Sequence, residues 1–403
     1  MSSFTPSRTA GLERLEAFLP RAGETYAKQR NYDNGPGNHD FVSSLSPWLR
    51  VRSISEQEVV ESVLQHHCLS RAEKFIQEVI WRTYWKGWLQ QRPSVWDEYE
   101  DTLDDLRSVW ERRGEYQRAI EGSTRFNSFN TWARELRETG YLHNHARMWF
   151  ASIWIHTLKL PWEMGAAFFL QHLLDGDCAS NTLSWRWVAG IQTRGKAYSA
   201  SADNIQKYTN GRLGAGERFA QVDLSDQVLV EHPDALELKE LEIPRIEPNT
   251  CLIVTDDDVR SFELLEEIEN LHCVLGLFPN DSYQRHGVSD RVKSFRKQSI
   301  QDSLESIALP ESRKVYFELD AKMSAAMDFL KSREVTNVIV TEPYVGFWTS
   351  EFSELKATIE AQGIEVTSFR RPWDDWFFPH CKRGFFNLKK LIPKILKQRL
   401  RNT

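Results

Sequence analysis

The rhythm of the chain changes near residue 250, and that change constrains the fold more than any other feature. Before it, strong helix formers and aromatics recur at three- and four-residue spacing, over 54–110 and again over 131–187. Such spacing gathers apolar side chains on one face of a helix. Prolines fall at the edges of these stretches, at Pro47, Pro93 and Pro161, where a missing N–H is tolerated. After residue 250, short β-branched runs occupy 251–255, 273–278, 314–319, 337–341 and 365–369, separated by helical patterns such as 324–331 and 350–362. Alternating strand and helix predicts a parallel sheet covered by helices on both faces. Gly363 suits the end of a helix before the last strand. Over 210–249, periodicity fades and acids, Gly and Pro gather, which reads as a linker. The expected organisation is an all-helical domain over 1–212, a linker over 213–249 and an α/β domain over 250–403.

Composition narrows the function classes. A net charge of −6 excludes a globally basic nucleic-acid binder, so any such site must be a local patch. Five scattered cysteines without a C-x-x-C pair predict reduced thiols in a cytoplasmic protein, with no disulfide framework and no metal site. No apolar run reaches the ~18 residues a membrane span needs, and none at the N-terminus reads as a signal peptide. Fifteen tryptophans in 403 residues suit a packed core and also stacking on planar ligands or bases.

Several short constellations carry chemistry. On a helix, Phe75, Glu78, Trp81, Arg82 and Trp85 share one face. They form either an aromatic core stripe with a surface ion pair or a cavity wall whose Arg82 meets a phosphate. The serines of Val42-Ser43-Ser44-Leu45-Ser46-Pro47 suit a pyrophosphate or an ordinary capped helix start, with Ser46 and Ser55 as cap residues. Asn144 and Met148 share one helix face, and Arg147 is placed to pair with Asp175 or Asp177. His143 and His145 lack the spacing of metal ligands on a helix. In Asp-Gly-Asp-Cys-Ala-Ser-Asn-Thr-Leu-Ser-Trp-Arg-Trp (175–187), two acids and an amide can grip a polar ring edge, while Trp185 and Trp187 diverge.

Taken together, "VSSLSP", "FIQEVIWRTYW", "TGYLHNHARM" and "LLDGDCASNTLSWRW" closely resemble the flavin-binding half of the DNA photolyase/cryptochrome family, in that family's order, from Tyr26 to about Tyr208. The resemblance implies FAD. Its phosphates and ribityl chain would lie on Tyr26, Ser43, Ser44, Leu45, Ser46 and Arg82, with Phe75 on the same wall. Asn144, Arg147, Asp175, Asp177 and Asn181 would surround the isoalloxazine. Trp185 and then Trp162 match the first two steps of an electron relay, whose outermost tryptophan has only Trp110 as a neighbour. Glu78, Trp81, Met148 and Trp187 match the lesion pocket of cyclobutane-dimer enzymes, which flip bases out of the stack. UV-damaged DNA is the implied partner. The alternative is a cryptochrome-like photoreceptor that keeps FAD without repair and has a signalling partner.

Several departures qualify this likeness. The α/β part follows the helical part instead of preceding it. Its segments "TNVIVTEPYVGFWTSEFSELKATIEAQGIEVTSF" and "FFPHCKRGFFNLKKLIPKIL" are nonetheless similar to the family's antenna domain, so an exchanged order of domains, a Rossmann-like C-terminal fold and an antenna chromophore there are expected. Asn130-Thr131 replaces the family's Asp-Ala, and Arg186 stands between the two tryptophans where a small or amide residue is usual. Arg50, Arg52, Arg92, Arg194 and Lys196 are candidate phosphate contacts. Asp256-Asp257-Asp258 reads as a solvated loop, and the lysines and arginines over 389–401 as a solvated basic helix face.

Overall fold

The computed structural model describes residues 4–193, 196–222, 231–319 and 323–400. The chain divides into two compact units. The first takes in Phe18–Ser44 and Val63–Leu236; the second takes in Phe4–Ala17, Leu45–Ser62 and the residues from Glu237 onward.

Helices build the first unit: Glu24–Gln29, Leu69–Gln90, Ser94–Trp110, Gly114–Glu121, Asn127–Thr139, Asn144–Ser152, Trp162–His172, Cys178–Val188 and Ala202–Tyr208. The long helix Leu69–Gln90 buries Phe75, Ile76, Val79, Ile80, Thr83, Tyr84 and Leu89; of the face anticipated from spacing, only Phe75 is buried, and Glu78, Trp81, Arg82 and Trp85 stay partly exposed. The helix Cys178–Val188 packs against Leu69–Gln90, Asn144–Ser152 and Trp162–His172, so three neighbours fix the orientation of its side chains. The second helical stretch is interrupted by a π-helical turn, Ile153–Thr157. Gly140 adopts φ +73° at the end of Asn127–Thr139, a left-handed conformation that glycine adopts without steric penalty. The chain then turns and His143 caps the next helix, its Nδ1 accepting from His145 N at 3.2 Å. Residues 213–222 and 231–249 carry no helix or strand; the rest of the expected linker lies outside the described residues.

The second unit holds a five-stranded parallel sheet of order β3-β2-β1-β4-β5, with β1 Thr250–Thr255, β2 Cys273–Phe278, β3 Lys314–Glu318, β4 Asn337–Thr341 and β5 Glu365–Phe369. Strands β1 and β2 are buried along their whole length, as near-continuous apolar runs in a covered parallel sheet should be. The order reverses between β2 and β4 on either side of β1, the doubly wound arrangement. Gly363, at φ +79°, turns the chain between the helix Thr349–Glu360 and β5.

The expectation for Asp256-Asp257-Asp258 is overturned. All three are buried and ion-paired. Arg50 lies 2.9 Å from Asp257, Arg296 lies 3.2 Å from Asp256, and Arg371 meets Asp258 at 2.5 Å. Trp348 Nε1 and the Tyr283 hydroxyl also donate to Asp256. Burial acts to raise the Asp256 carboxyl, but Arg50 and Arg296 outweigh it and hold the pKa below the usual range. Arg52 makes two hydrogen bonds to Asp374, at 2.7 and 2.9 Å. Arg50 and Arg52 are thus committed to buried acids and are not phosphate contacts. Asp374 lies 322 residues from Arg52, too far for a local pattern to announce the pair. The C-terminal helix Phe385–Arg399 buries Phe385, Leu388, Ile392, Ile395 and Leu396 and exposes Lys390, Lys394, Lys397 and Arg399. Arg401 lies outside the described residues. No described helix is long and apolar enough to cross a membrane.

Candidate functional site

Two short segments of the first unit bring its buried charges together. In the first, the turn after Gly140 starts the helix Asn144–Ser152 so that Arg147 falls in its first turns. Arg147 donates through Nε to Leu142 O at 2.9 Å, and its Nη2 lies 3.0 Å from Asp175 Oδ2. Its guanidinium also lies 5.5 Å from the centre of the Tyr141 ring. In the second, Asp177 caps the helix Cys178–Val188, with Oδ1 accepting from Ser180 N at 2.7 Å. Its Oδ2 then faces Arg82 and Lys86, each at 3.9 Å. Asp175, Asp177 and Asn181 are all buried. One turn into that helix, Asn181 Nδ2 donates to Ala166 O at 2.9 Å, which orients the amide, and Trp185 follows a further turn along the same face.

Tyr26 and Phe75 pack edge to face at 5.1 Å, with Phe18 against both. Burial holds the Tyr26 hydroxyl well above its ordinary pKa of 10. Ser44 is buried at φ +50°, a rare conformation for a residue with a Cβ, and its hydroxyl lies 3.3 Å from that of Tyr141. Leu45 and Ser46 fall in the second unit, where Ser46 opens the helix Ser46–Val51. The capping role expected of Ser55 takes the reciprocal form: Glu58 N donates to Ser55 Oγ at 3.1 Å, and Ser55 N to Glu58 Oε2 at 2.8 Å.

Of the expected lesion-pocket residues, Glu78 pairs with Arg30 at 2.8 Å. Burial raises its carboxyl pKa against the pull of Arg30 and Lys74. Trp81 packs on Tyr84 and Trp85, Trp187 stacks on Tyr198 at 5.9 Å, and Asn144 Nδ2 reaches Met148 Sδ at 4.0 Å. Trp81, Met148 and Trp187 stay partly exposed. Among the described residues no hydrogen bond or ring contact joins Glu78 to Trp187. Trp185 is buried, whereas Trp162 is partly exposed and meets Tyr99 at 5.7 Å. Trp110 packs under Arg113. Arg92 stacks on Trp88 and donates to Pro233 O, Lys196 is exposed, and Arg194 lies outside the described residues. Asn130 holds the preceding turn, its Oδ1 accepting from Thr124 N at 2.8 Å.

Lys86 and Arg30 are absent from the expected set. Lys86 is 1 % exposed, and its offset of four from Arg82 was the available signal. Arg30, a helix-end residue in sequence, gave none.

The fit of a flavin can be tested on the chain itself. Ser180 Oγ, Thr182 Oγ1 and Arg82 Nη1 are enclosed polar atoms without a hydrogen-bond partner. Such atoms are rare in a finished protein core; Ser180 and Thr182 lie in the first turns of the helix that Asp177 caps, and Arg82 faces Asp177. Cations beside Asp177, an Arg–carboxylate pair and an oriented amide form a donor and acceptor set suited to a polar heterocycle with a phosphate tail. The residues present fit that group. Among the described residues no cluster of His, Cys, Asp or Glu could hold a metal.

Residues 75–210 match the family model described as the FAD binding domain of DNA photolyase. Over that stretch the resemblance read from the sequence holds. The chain is 32 % identical over 197 residues to the deoxyribodipyrimidine photo-lyase of Synechococcus sp., covering 46 % of this chain and 39 % of the relative. It is 31 % identical over 220 residues to that of Streptomyces griseus, covering 48 % of each. A cryptochrome structure from Synechocystis sp. aligns at 25 % identity with a TM-score of 0.45, covering 51 % of this chain and 43 % of that one. The aligned parts thus span less than half the length of these relatives.

In the second unit, a cavity of about 450 Å³ is lined by Asp281, Ser282, Arg285, Met323, Ser350, Glu351 and Glu354. Burial, aided by Asp281 and Asp256, raises the Glu351 carboxyl to about 7.

Proposed function

We propose that this chain binds FAD in its helical unit and uses it for light-driven repair of cyclobutane pyrimidine dimers in DNA. The flavin, when bound and fully reduced, supplies a photoexcited electron for splitting the dimer. The protein's own residues bind and orient it. Arg82 and Lys86 balance the phosphate charge beside Asp177. The Arg147–Asp175 pair would hold the ring's polar edge, and Asn181, its amide oriented by the bond to Ala166 O, would offer a further acceptor and donor to it. Tyr26, Ser43, Ser44, Phe75 and Asn144 complete the proposed contacts within that unit. Trp81 and Trp187, partly exposed and aromatic, would stack on unpaired bases, with Glu78 accepting from a base edge and Met148 packing beside them.

The single observation that carries this reading is the buried charge set Arg147–Asp175 and Asp177–Arg82–Lys86 inside the stretch 75–210. Burying several charges together is costly, and a set of both signs gathered in one place suits a ligand with polar and anionic parts. The deoxyribodipyrimidine photo-lyase relatives support repair. The cryptochrome-like photoreceptor remains the second reading, since the same flavin contacts serve both. The α/β cavity lies at the carboxyl ends of parallel strands, where ligands of such sheets bind, and would be the place for an antenna pigment.

The experiment is illumination of the purified, chemically reduced protein with a dimer-containing oligonucleotide. Restored thymine absorbance under blue light, and none in darkness, supports repair. A yellow protein that restores nothing supports the photoreceptor, and one without flavin refutes both.

A further inference from the structure

Trp185 is 2 % exposed, and its ring neighbours among the described residues are Phe150, Phe169 and Trp154. Phenyl rings resist one-electron oxidation far more than indoles or phenols. Trp154 is therefore the neighbour able to refill an oxidised Trp185. The two indoles stand edge to face at 6.2 Å, an approach that Gly165 permits: a Cβ there would lie 2.4 Å from the Trp185 ring and 2.9 Å from Trp154 Nε1. Trp154 sits in the π-helical turn Ile153–Thr157, a distortion frequent at functional sites. Its Nε1 donates to Pro161 O at 2.8 Å.

Around Trp154 lie the phenyl rings of Phe129, Phe150 and Phe168. One phenol joins them: Tyr116, at 5.9 Å and perpendicular. Tyr116 keeps 6 % exposure. That residual exposure gives its phenolic proton a way to water, whereas the Tyr99 hydroxyl is enclosed.

The relay step expected at Trp162 looks poorer. Trp162 is not a ring neighbour of Trp185. The Arg186 guanidinium lies 6.0 Å from the centre of its ring, and a positive charge there opposes a radical cation, although Glu98 and Glu163 lie within that charge's field. Beyond it, the Tyr99 hydroxyl is enclosed with no acceptor for its proton.

We propose that Trp154 and Tyr116 form an electron path that refills Trp185 and ends in a tyrosine that loses its proton to water. The path rests on the flavin reading above. Trp185 gives one electron to the photoexcited oxidised cofactor. Trp154 gives one to Trp185, and Tyr116 gives one to Trp154 while its phenolic proton passes to solvent. The net change is one electron moved inward, one proton released and a neutral tyrosyl radical at position 116. An external thiol then reduces that radical.

The test is electron paramagnetic resonance of the flavin-loaded protein, frozen under blue light without DNA or thiol. A tyrosyl signal is expected in the wild type and in Trp162→Phe. It should be lost in Tyr116→Phe and Trp154→Phe, with flavin content and near-ultraviolet circular dichroism as checks on folding. Should Trp154→Phe misfold, Tyr116→Phe alone decides. A tyrosyl signal that survives Tyr116→Phe, or is lost in Trp162→Phe, or is absent from the wild type, overturns the path while leaving the flavin reading intact. Protein that carries no flavin overturns both.

Discussion

Asp177 does two jobs with its two oxygens. Oδ1 caps a helix and Oδ2 faces Arg82 and Lys86. Asp177→Asn keeps a capping oxygen but removes the charge. It should fold with a stability change of about 1 kcal/mol from the cap, while binding flavin markedly less well; equal flavin content would contradict the role of the charge. His143 offers a pH test. Burial, reinforced by His39 and His145 and opposed by Asp33, lowers its pKa to about 4 from 6.5. The unfolded chain therefore binds this proton more readily than the folded one. The associated stability is present above pH 6.5 and is lost as the pH falls toward 4, by roughly 3 kcal/mol at about 1.4 kcal/mol per pH unit. His143→Gln should flatten the fall in Tm over that range, and an unchanged slope would remove His143 as the cause. Asp175, Asp177 and Asn181 were legible because their offsets repeat a known pattern on one helix start. Lys86 was not, because a lysine on an amphipathic helix usually faces water, and only the tertiary placement of Asp177 draws it inside.

Among the elements, the packing of Trp162–His172 on Cys178–Val188 turns on one residue. Alanine at Gly165 would gain up to about 1 kcal/mol of helix propensity. Its Cβ would also sit 2.4 Å from a rigid, buried indole, and overpacking of that kind costs about 1–3 kcal/mol or more. The clash should win, so Gly165→Ala should lower Tm and shift the tryptophan fluorescence. A raised Tm would mean that Trp185 can move aside. The five strands were readable nearly to the residue, because buried parallel strands are short β-branched runs between helical patterns. The π-helical turn was not readable, since a single extra residue per turn hardly disturbs apolar periodicity. Nor was the Asp256–Asp258 cluster, whose neutralising arginines come from distant segments.

Across the whole molecule, the second unit draws on early sequence. Arg50 and Arg52 are 3 % and 1 % exposed, and their acids are Asp257 and Asp374. Removing one partner of a buried pair costs about 3–5 kcal/mol. A fragment ending at residue 236 would take Asp257 from Arg50 and leave Arg52 with Glu56 but without Asp374, so it should fail to give a cooperative unfolding transition. A fragment that melts as sharply as the full chain would show that the early segment does not depend on those acids. The helical-then-α/β order was legible from the change of rhythm, but the assignment of Phe4–Ala17 and Leu45–Ser62 to the second unit was not, because sequence order says nothing about which unit a short helix joins.

The most direct measurement is the flavin-to-protein ratio of the purified chain beside that of Asp175→Ala, which leaves Arg147 without its carboxylate. Stoichiometric FAD in the wild type and a largely colourless variant are expected. A colourless wild type, or a variant that retains full flavin, would contradict the placement of the flavin among Arg147, Asp175, Asp177 and Asn181.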